Sequence, residues 1–175
     1  MTAPAPVPLT PISGRFWRII WQHRADALLD GVQSAEGRLH HSGQKALYLS
    51  PNPDWAAMAV NAYLRPDDPP RLLVELAVTR ARVVDLRDPA VCTALGITPQ
   101  TPGVPWQPER AEGKPATSWR ASDAVRRTDA DGLIYPARSY PERWHVVLHR
   151  WNLPGKAQVS QNGDATPWFP SPTPP

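Results

Sequence analysis

Apolar residues along the chain come in short runs of strand type that alternate with stretches of helical spacing. Residues 16–21 and 46–50 form two such runs, each bounded by polar or turn-forming positions. Asn52-Pro53-Asp54 reads as a helix start, because an Asn side chain accepts from orphan amides of the first turn and Pro fits the next position. In that helix Trp55, Met58, Ala59 and Ala62 follow i, i+3, i+4, i+7, which predicts one shared buried face, and Pro66 ends the segment. Residues 71–78 are almost continuously apolar, the pattern of a strand covered on both faces, and 82–86 predict another strand. Asp88-Pro89 opens a short helix that Gly96 closes. Thr117 or Ser118 caps a helix running to about residue 128, and 132–138 and 144–151 read as two closing strands around a turn at 139–142. Strands and helices mix without strict βαβ alternation, so the expected class is α+β (mixed α/β).

Composition changes this picture at the ends. The chain holds 23 prolines in 175 residues, far above the usual share of about 5%. They concentrate in residues 1–13, in 153–175 and in 97–116. The first is expected as a loosely packed or disordered arm and the second as a proline-rich tail whose Trp168 and Phe169 dock on the body. The third, with Trp106, is expected as an ordered excursion over the surface. Eight tryptophans and 41% hydrophobic residues exclude a disordered chain. The expectation is therefore a single compact domain over 14–152 with proline-rich tails.

Charge and cysteine narrow the function classes. The net charge is +3, but the positive residues are scattered arginines with no run longer than Arg126-Arg127, so the basic stripe that nucleic-acid binding needs is missing. No apolar stretch approaches the ~20 residues of a membrane span, and the first residues lack the pattern of a signal peptide. Cys92, alone, supports neither an internal disulfide nor a cysteine-based zinc site, and a cytoplasmic location is expected.

Phosphate-cradling glycine loops and metal-ligand spacings are absent from the sequence, and no metal is expected. His145 and His149, on one presumed strand, would stand about 13 Å apart, too far to share an ion. The segment 37–50 carries the chemistry. Arg38 follows Gly37, then a polar loop with His40, His41 and Gly43 leads into a strand ending Leu47-Tyr48-Leu49-Ser50. Arginine offers a planar fork for phosphate or carboxylate, and tyrosine offers a stacking face and a hydroxyl. Two readings stand side by side: an anion clamp with an active-site tyrosine, or a structural ion pair with a core tyrosine. Trp106, Trp119 and Trp144 read as core residues before stacking platforms.

The order of a strand with Arg18, Gly37-Arg38, Gly43, Leu47-Tyr48, a helix, Val84-Asp85-Leu86 and a late 132–138 segment ending Tyr135-Pro136-Ala137-Arg138 resembles the RES domain family over roughly 14–152. The resemblance implies a fold like that of ADP-ribosyltransferases and an activity that destroys NAD+ at its nicotinamide–ribose bond, by phosphorolysis or hydrolysis. NAD+ is then the substrate and no cofactor is needed. It also implies a toxin of a bacterial toxin–antitoxin pair, held by an Xre-type antitoxin. By this resemblance Arg38 is the phosphate clamp and Tyr48, ten positions on, the active-site tyrosine. Arg18, His40, Ser50, Tyr135, Arg138 and Ser139 are the expected contacts to the dinucleotide.

The chain also departs from the family pattern. A glutamate belongs eleven residues after the tyrosine, where this chain has Ala59, and a serine belongs two residues after the late tyrosine, where it has Ala137. Two acids are candidates for the missing carboxylate. Glu75 stands inside an apolar strand, where a lone acid is costly unless paired, and Glu36 precedes Gly37 on a loop. Glu75 is the expected catalytic acid, against the alternative of an ion pair with an arginine. The same departures leave a second expectation open, a catalytically weakened nucleotide- or protein-binding module of the family.

Overall fold

The computed structural model describes residues 6–171, so the outermost parts of both proline-rich ends lie outside the described residues. The longest element, β3 (Arg71–Asp85), is the axis of the fold. The sequence predicts two strands here, and the chain instead runs through as one, bent at Arg80, whose φ is +57°. On one edge β3 pairs antiparallel with β1 (Thr10–Trp21), with Phe16 opposite Leu76 and Trp17 opposite Glu75. The register shifts between Ile12 and Gly14, across from the same bend. An irregularity of this kind adds local twist and lets one strand serve two parts of a sheet.

The other edge of β3 is shared by three short strands. β7 (Thr166–Trp168) and β6 (Gln158–Gln161) pair antiparallel with its first part, and β4 (Gly132–Pro136) pairs parallel with its last residues. Two of these strands lie in the segment expected as a tail, and β1 begins at Thr10, four residues before the expected start of the body at residue 14. The sheet therefore exceeds the 14–152 estimate on both sides. β6 and β7 are short, mostly polar and interrupted by Pro167, so no apolar alternation marks them; the free edge of β3 recruits them. Trp168 is half-buried there, whereas Phe169, expected to dock, is 78% exposed.

β5 (Trp144–Leu148) pairs with β4, and β2 (Leu47–Leu49) pairs with β5, giving the order β1-β3-β4-β5-β2. Reciprocal backbone bonds of 2.7 and 2.9 Å between Trp17 and Ser50 join β2 back to β1 and curl the sheet on itself. The period of two then separates two cores. Leu47, Leu49, Val83, Ile134, Val146 and Leu148 face one, while Tyr48, Val84, Leu133, Tyr135 and Val147 face the other. The second core is covered by α2 (Pro89–Ala94) and α4 (Trp119–Arg126), through Val91, Cys92, Ala121 and Val125.

Two helix details differ from expectation. α1 (Pro53–Asn61) is capped as predicted, with the Asn52 side chain accepting from the Trp55 amide at 2.9 Å, but it buries Ala56 while Ala59 and Ala62 are exposed. Its sequence is apolar on nearly every side, so spacing alone does not choose a face. Ser118 precedes α4 without a side-chain cap; its hydroxyl donates instead to the Arg38 carbonyl at 2.5 Å.

Candidate active site

The Gly37-Arg38 backbone is clamped from three sides. The Gly37 amide donates to the His40 carbonyl, closing a tight turn, and Trp119 Nε1 donates to the Gly37 carbonyl at 2.7 Å. The turn brings the His40 ring so close to Gly37 that a Cβ there would meet its Cε1 at 2.4 Å. Only glycine leaves room for it.

Held this way, the Arg38 side chain reaches across the molecule. Its Nε donates to the Pro102 carbonyl at 2.7 Å, Nη2 to the Pro136 carbonyl at 3.4 Å, and the guanidinium lies 4.9 Å from the Tyr135 ring centre. Burial lowers its pKa, yet it belongs to none of the ion pairs among the described residues. The structural ion-pair reading of Arg38 therefore has no partner. Two carbonyls and a ring face fix the fork, leaving N–H groups to meet an anion.

Tyr48 performs a different task from the one its position suggests. Its hydroxyl accepts from the Leu39 amide at 3.0 Å and lies 2.9 Å from His40 Nδ1. Burial pushes the phenol well above its ordinary range and lowers His40, so the hydroxyl stays protonated beside a neutral imidazole. The network then assigns the protons: Tyr48 donates to Nδ1, and Nε2–H donates to the Ser34 carbonyl at 3.2 Å. Both functions of the phenol are consumed inside the protein, where they lock the Arg38–His40 turn.

A second buried pair flanks Arg38. Tyr135 stands 5.6 Å from the His145 ring, and His145 Nδ1 lies 2.8 Å from the Ser50 hydroxyl. Burial pushes Tyr135 up to about 12. Burial, with the charge of Arg38 added, pushes His145 down to about 4. Arg38, Tyr135, His145 and Ser50 thus form one continuous stack. Arg138 and Ser139 are exposed on the turn after Pro136, with the Arg138 charge acting on Arg38.

Arg18 is not brought into this stack. It is two residues from both Phe16 and Ile20 and so shares their face of the sheet, that of the first core, opposite to the face of Tyr135. Its Nη1 donates to the Leu28 carbonyl at 3.0 Å, and burial pushes it down to about 10. It lines a cavity of about 260 Å3 together with Trp21, Arg24, Arg71 and Ser34, and no carboxylate lines that cavity. Arg71 lies 3.5 Å over Trp21 and pairs with Asp68, while the buried Nε atoms of Arg24 and Arg71 lack partners. Ser34 connects the two regions, because its hydroxyl and carbonyl both meet His40 Nε2 while it lines the Arg18 cavity.

The two candidate acids resolve into ion pairs. Glu75 binds Arg15 at 3.2 Å and accepts from Asn162 Nδ2 at 2.8 Å. Alternation explains the correction: Val74 and Leu76 take the buried face of β3, which turns Glu75 to the other one, toward β1 and the 162 turn. Glu36 pairs with Arg110 at 3.1 Å. His41, the other member of the histidine pair, bonds Asp123 at 2.9 Å and stacks on Trp119.

Tyr63 and Trp106 join the neighbourhood of Arg38 without having been singled out for it. Arg38 Nε donates to the Pro102 carbonyl, four residues before Trp106, and Trp106 Nε1 donates to the Tyr63 hydroxyl at 3.4 Å. Nothing in their local sequence marks them, since their segments lie 43 residues apart.

A family model described as RES domain matches residues 15–170. No protein of curated function matches the sequence. Among solved structures, the chain resembles one in the crystal structure of the M. tuberculosis MbcT–MbcA toxin–antitoxin complex. The TM-score is 0.63 at 18% identity, covering 93% of this chain and 87% of that one. At that identity the likeness is one of fold.

Proposed function

The chain belongs to the RES domain family, and from that premise we propose that it consumes NAD+ by cleaving the nicotinamide–ribose bond. The observation that carries this reading is the Arg38 guanidinium, fixed by two carbonyls and a ring face and paired with no carboxylate among the described residues. A cation so arranged suits the diphosphate of a dinucleotide. In the reaction, water or inorganic phosphate forms a bond to C1′ of the ribose as the bond to nicotinamide breaks. The electron pair stays on the departing nitrogen, which becomes neutral, and the nucleophile gives up its proton to solvent. Arg38 holds the diphosphate while positive charge shifts to the ribose, and Tyr48 keeps the Arg38 turn in place as a positioning residue. Arg138 and Ser139, exposed on the turn after Pro136, offer further contacts to the ligand, whereas Arg18 lies on the other face of the sheet.

The biological setting proposed is that of a cytoplasmic toxin neutralised by an Xre-type antitoxin. The M. tuberculosis neighbour's description as part of a toxin–antitoxin complex supports a protein partner of this kind. No helix among the described residues is long and apolar enough to cross a membrane.

Incubating the purified protein with NAD+, with and without phosphate, tests the activity. Loss of NAD+ with release of nicotinamide is expected, and intact NAD+ under both conditions counts against catalysis. A second reading has its own support, because Ala59 and Ala137 occupy the family's glutamate and serine positions and the candidate acids are engaged elsewhere. Under it the protein binds the nucleotide unchanged, and calorimetry showing ADP-ribose binding without turnover would select it.

A further inference from the structure

Tyr63 is a large aromatic residue left 46% exposed at the turn that follows α1, and Trp106 opens α3 (Trp106–Ala111) with its ring partly exposed. Neither belongs to a core cluster among the described residues. The bond from Trp106 Nε1 to the Tyr63 hydroxyl holds the two side chains together from separate elements. An exposed aromatic with its hydroxyl tied down is a stacking surface whose ordering is already achieved before a ligand arrives. The segment that leads into Trp106 holds Arg38, whose Nε donates to the Pro102 carbonyl at 2.7 Å and whose Nη2 lies 3.9 Å from the Cβ position of Gly103. A fixed cation next to an open aromatic face is what a planar heteroaromatic ring joined to phosphate requires.

We propose that Tyr63 and Trp106 form an aromatic platform at the mouth of the Arg38 site that stacks the nucleobase of a bound adenine dinucleotide. The proposal rests on the reading of Arg38 as a phosphate clamp and adds the group that recognises the base. It explains the partial exposure of Trp106, which by composition would be sought in the core.

Calorimetric titration of the full chain with ADP-ribose, which carries adenine, and with inorganic pyrophosphate, which carries no base, separates the two parts. Tyr63→Ala is expected to weaken ADP-ribose about tenfold and leave pyrophosphate unchanged, in line with the value of one base stack. Tyr63→Phe, which keeps the ring and loses only the hydroxyl, is expected to stay within about threefold of wild type. ADP-ribose should also change the tryptophan fluorescence of the wild type, and that change should disappear in Trp106→Phe. If both ligands bind the wild type and Tyr63→Ala binds ADP-ribose equally well, the platform is overturned while the phosphate clamp stands. If Tyr63→Ala weakens both ligands alike, the residue supports the fold rather than the base, and the platform is again overturned. If neither ligand binds the wild type, the clamp and the platform fall together.

Discussion

The Arg38 guanidinium lies 4.9 Å from the ring centre of Tyr135, although the two residues stand nearly a hundred positions apart in the chain. The contact places a cation on the face of a ring that the sheet has buried, and the Pro102 and Pro136 carbonyls complete its fixation. Among the described residues the same cation has no carboxylate, which leaves its remaining N–H groups available to a ligand.

Arg38→Ala is expected to reduce ADP-ribose affinity by about ten- to a hundredfold, the value of charge-assisted hydrogen bonds, and to lower thermal stability as well, because the Pro102 and Pro136 carbonyls lose their donor. Arg38→Lys should recover only a small part, since an ammonium lacks the planar fork. Calorimetry together with thermal melts checks both statements. An Arg38→Ala protein with unchanged affinity would remove the clamp.

Tyr48→Phe should behave differently. The Leu39 amide and His40 Nδ1 would each lose their partner in a buried setting, at about 1–3 kcal/mol. A lower urea midpoint is expected, with the activity loss following from a loosened Arg38 turn. Wild-type stability with lost activity would instead make the phenol a direct participant.

His145 sets a pH dependence. Its folded pKa of about 4 lies below the ordinary imidazole value of 6.5, so the unfolded chain binds the proton more readily. Stability is then fully present above about pH 6.5 and falls as pH drops toward 4. His40 and His149, also buried and lowered, add in the same direction. Urea midpoints at pH 7 and pH 5 should show the fall, and His145→Gln should reduce it even if that variant is less stable throughout.

Glu75→Gln tests the correction of the candidate acid. The carboxylate pairs with an exposed Arg15, an arrangement that contributes about 0–1 kcal/mol. NAD+ consumption and ADP-ribose affinity should stay within about twofold of wild type. A large loss of turnover would return Glu75 to the site.

Part of this molecule was legible locally. The Asn52 cap, the Asp88 cap with its bond to the Ala90 amide, and the strand at 16–21 follow from side-chain chemistry and a period of two that act within a few residues. Gly37-Arg38 and Tyr48 could be singled out because their residue types and order carry chemistry wherever the chain places them. The face of α1 could not be read, since alanine on most sides leaves the burial choice to the neighbours. Nor could β6 and β7, whose pairing depends on an unpaired edge contributed by residues 71–79.

Local spacing and side-chain chemistry are enough to read the class of fold, the caps at Asn52 and Asp88 and the residues able to hold an anion. Which of those residues meet is settled by packing. Alternation along β1 puts Arg18 on the face of the first core, away from Arg38, and Arg15 and Asn162 engage Glu75, while β4 and the 101–103 turn bring Tyr135, Pro136 and Pro102 to Arg38. Local propensity acts over one or two turns of chain. The partners of a side chain across a sheet are set by register and strand order, which are properties of the whole packed molecule.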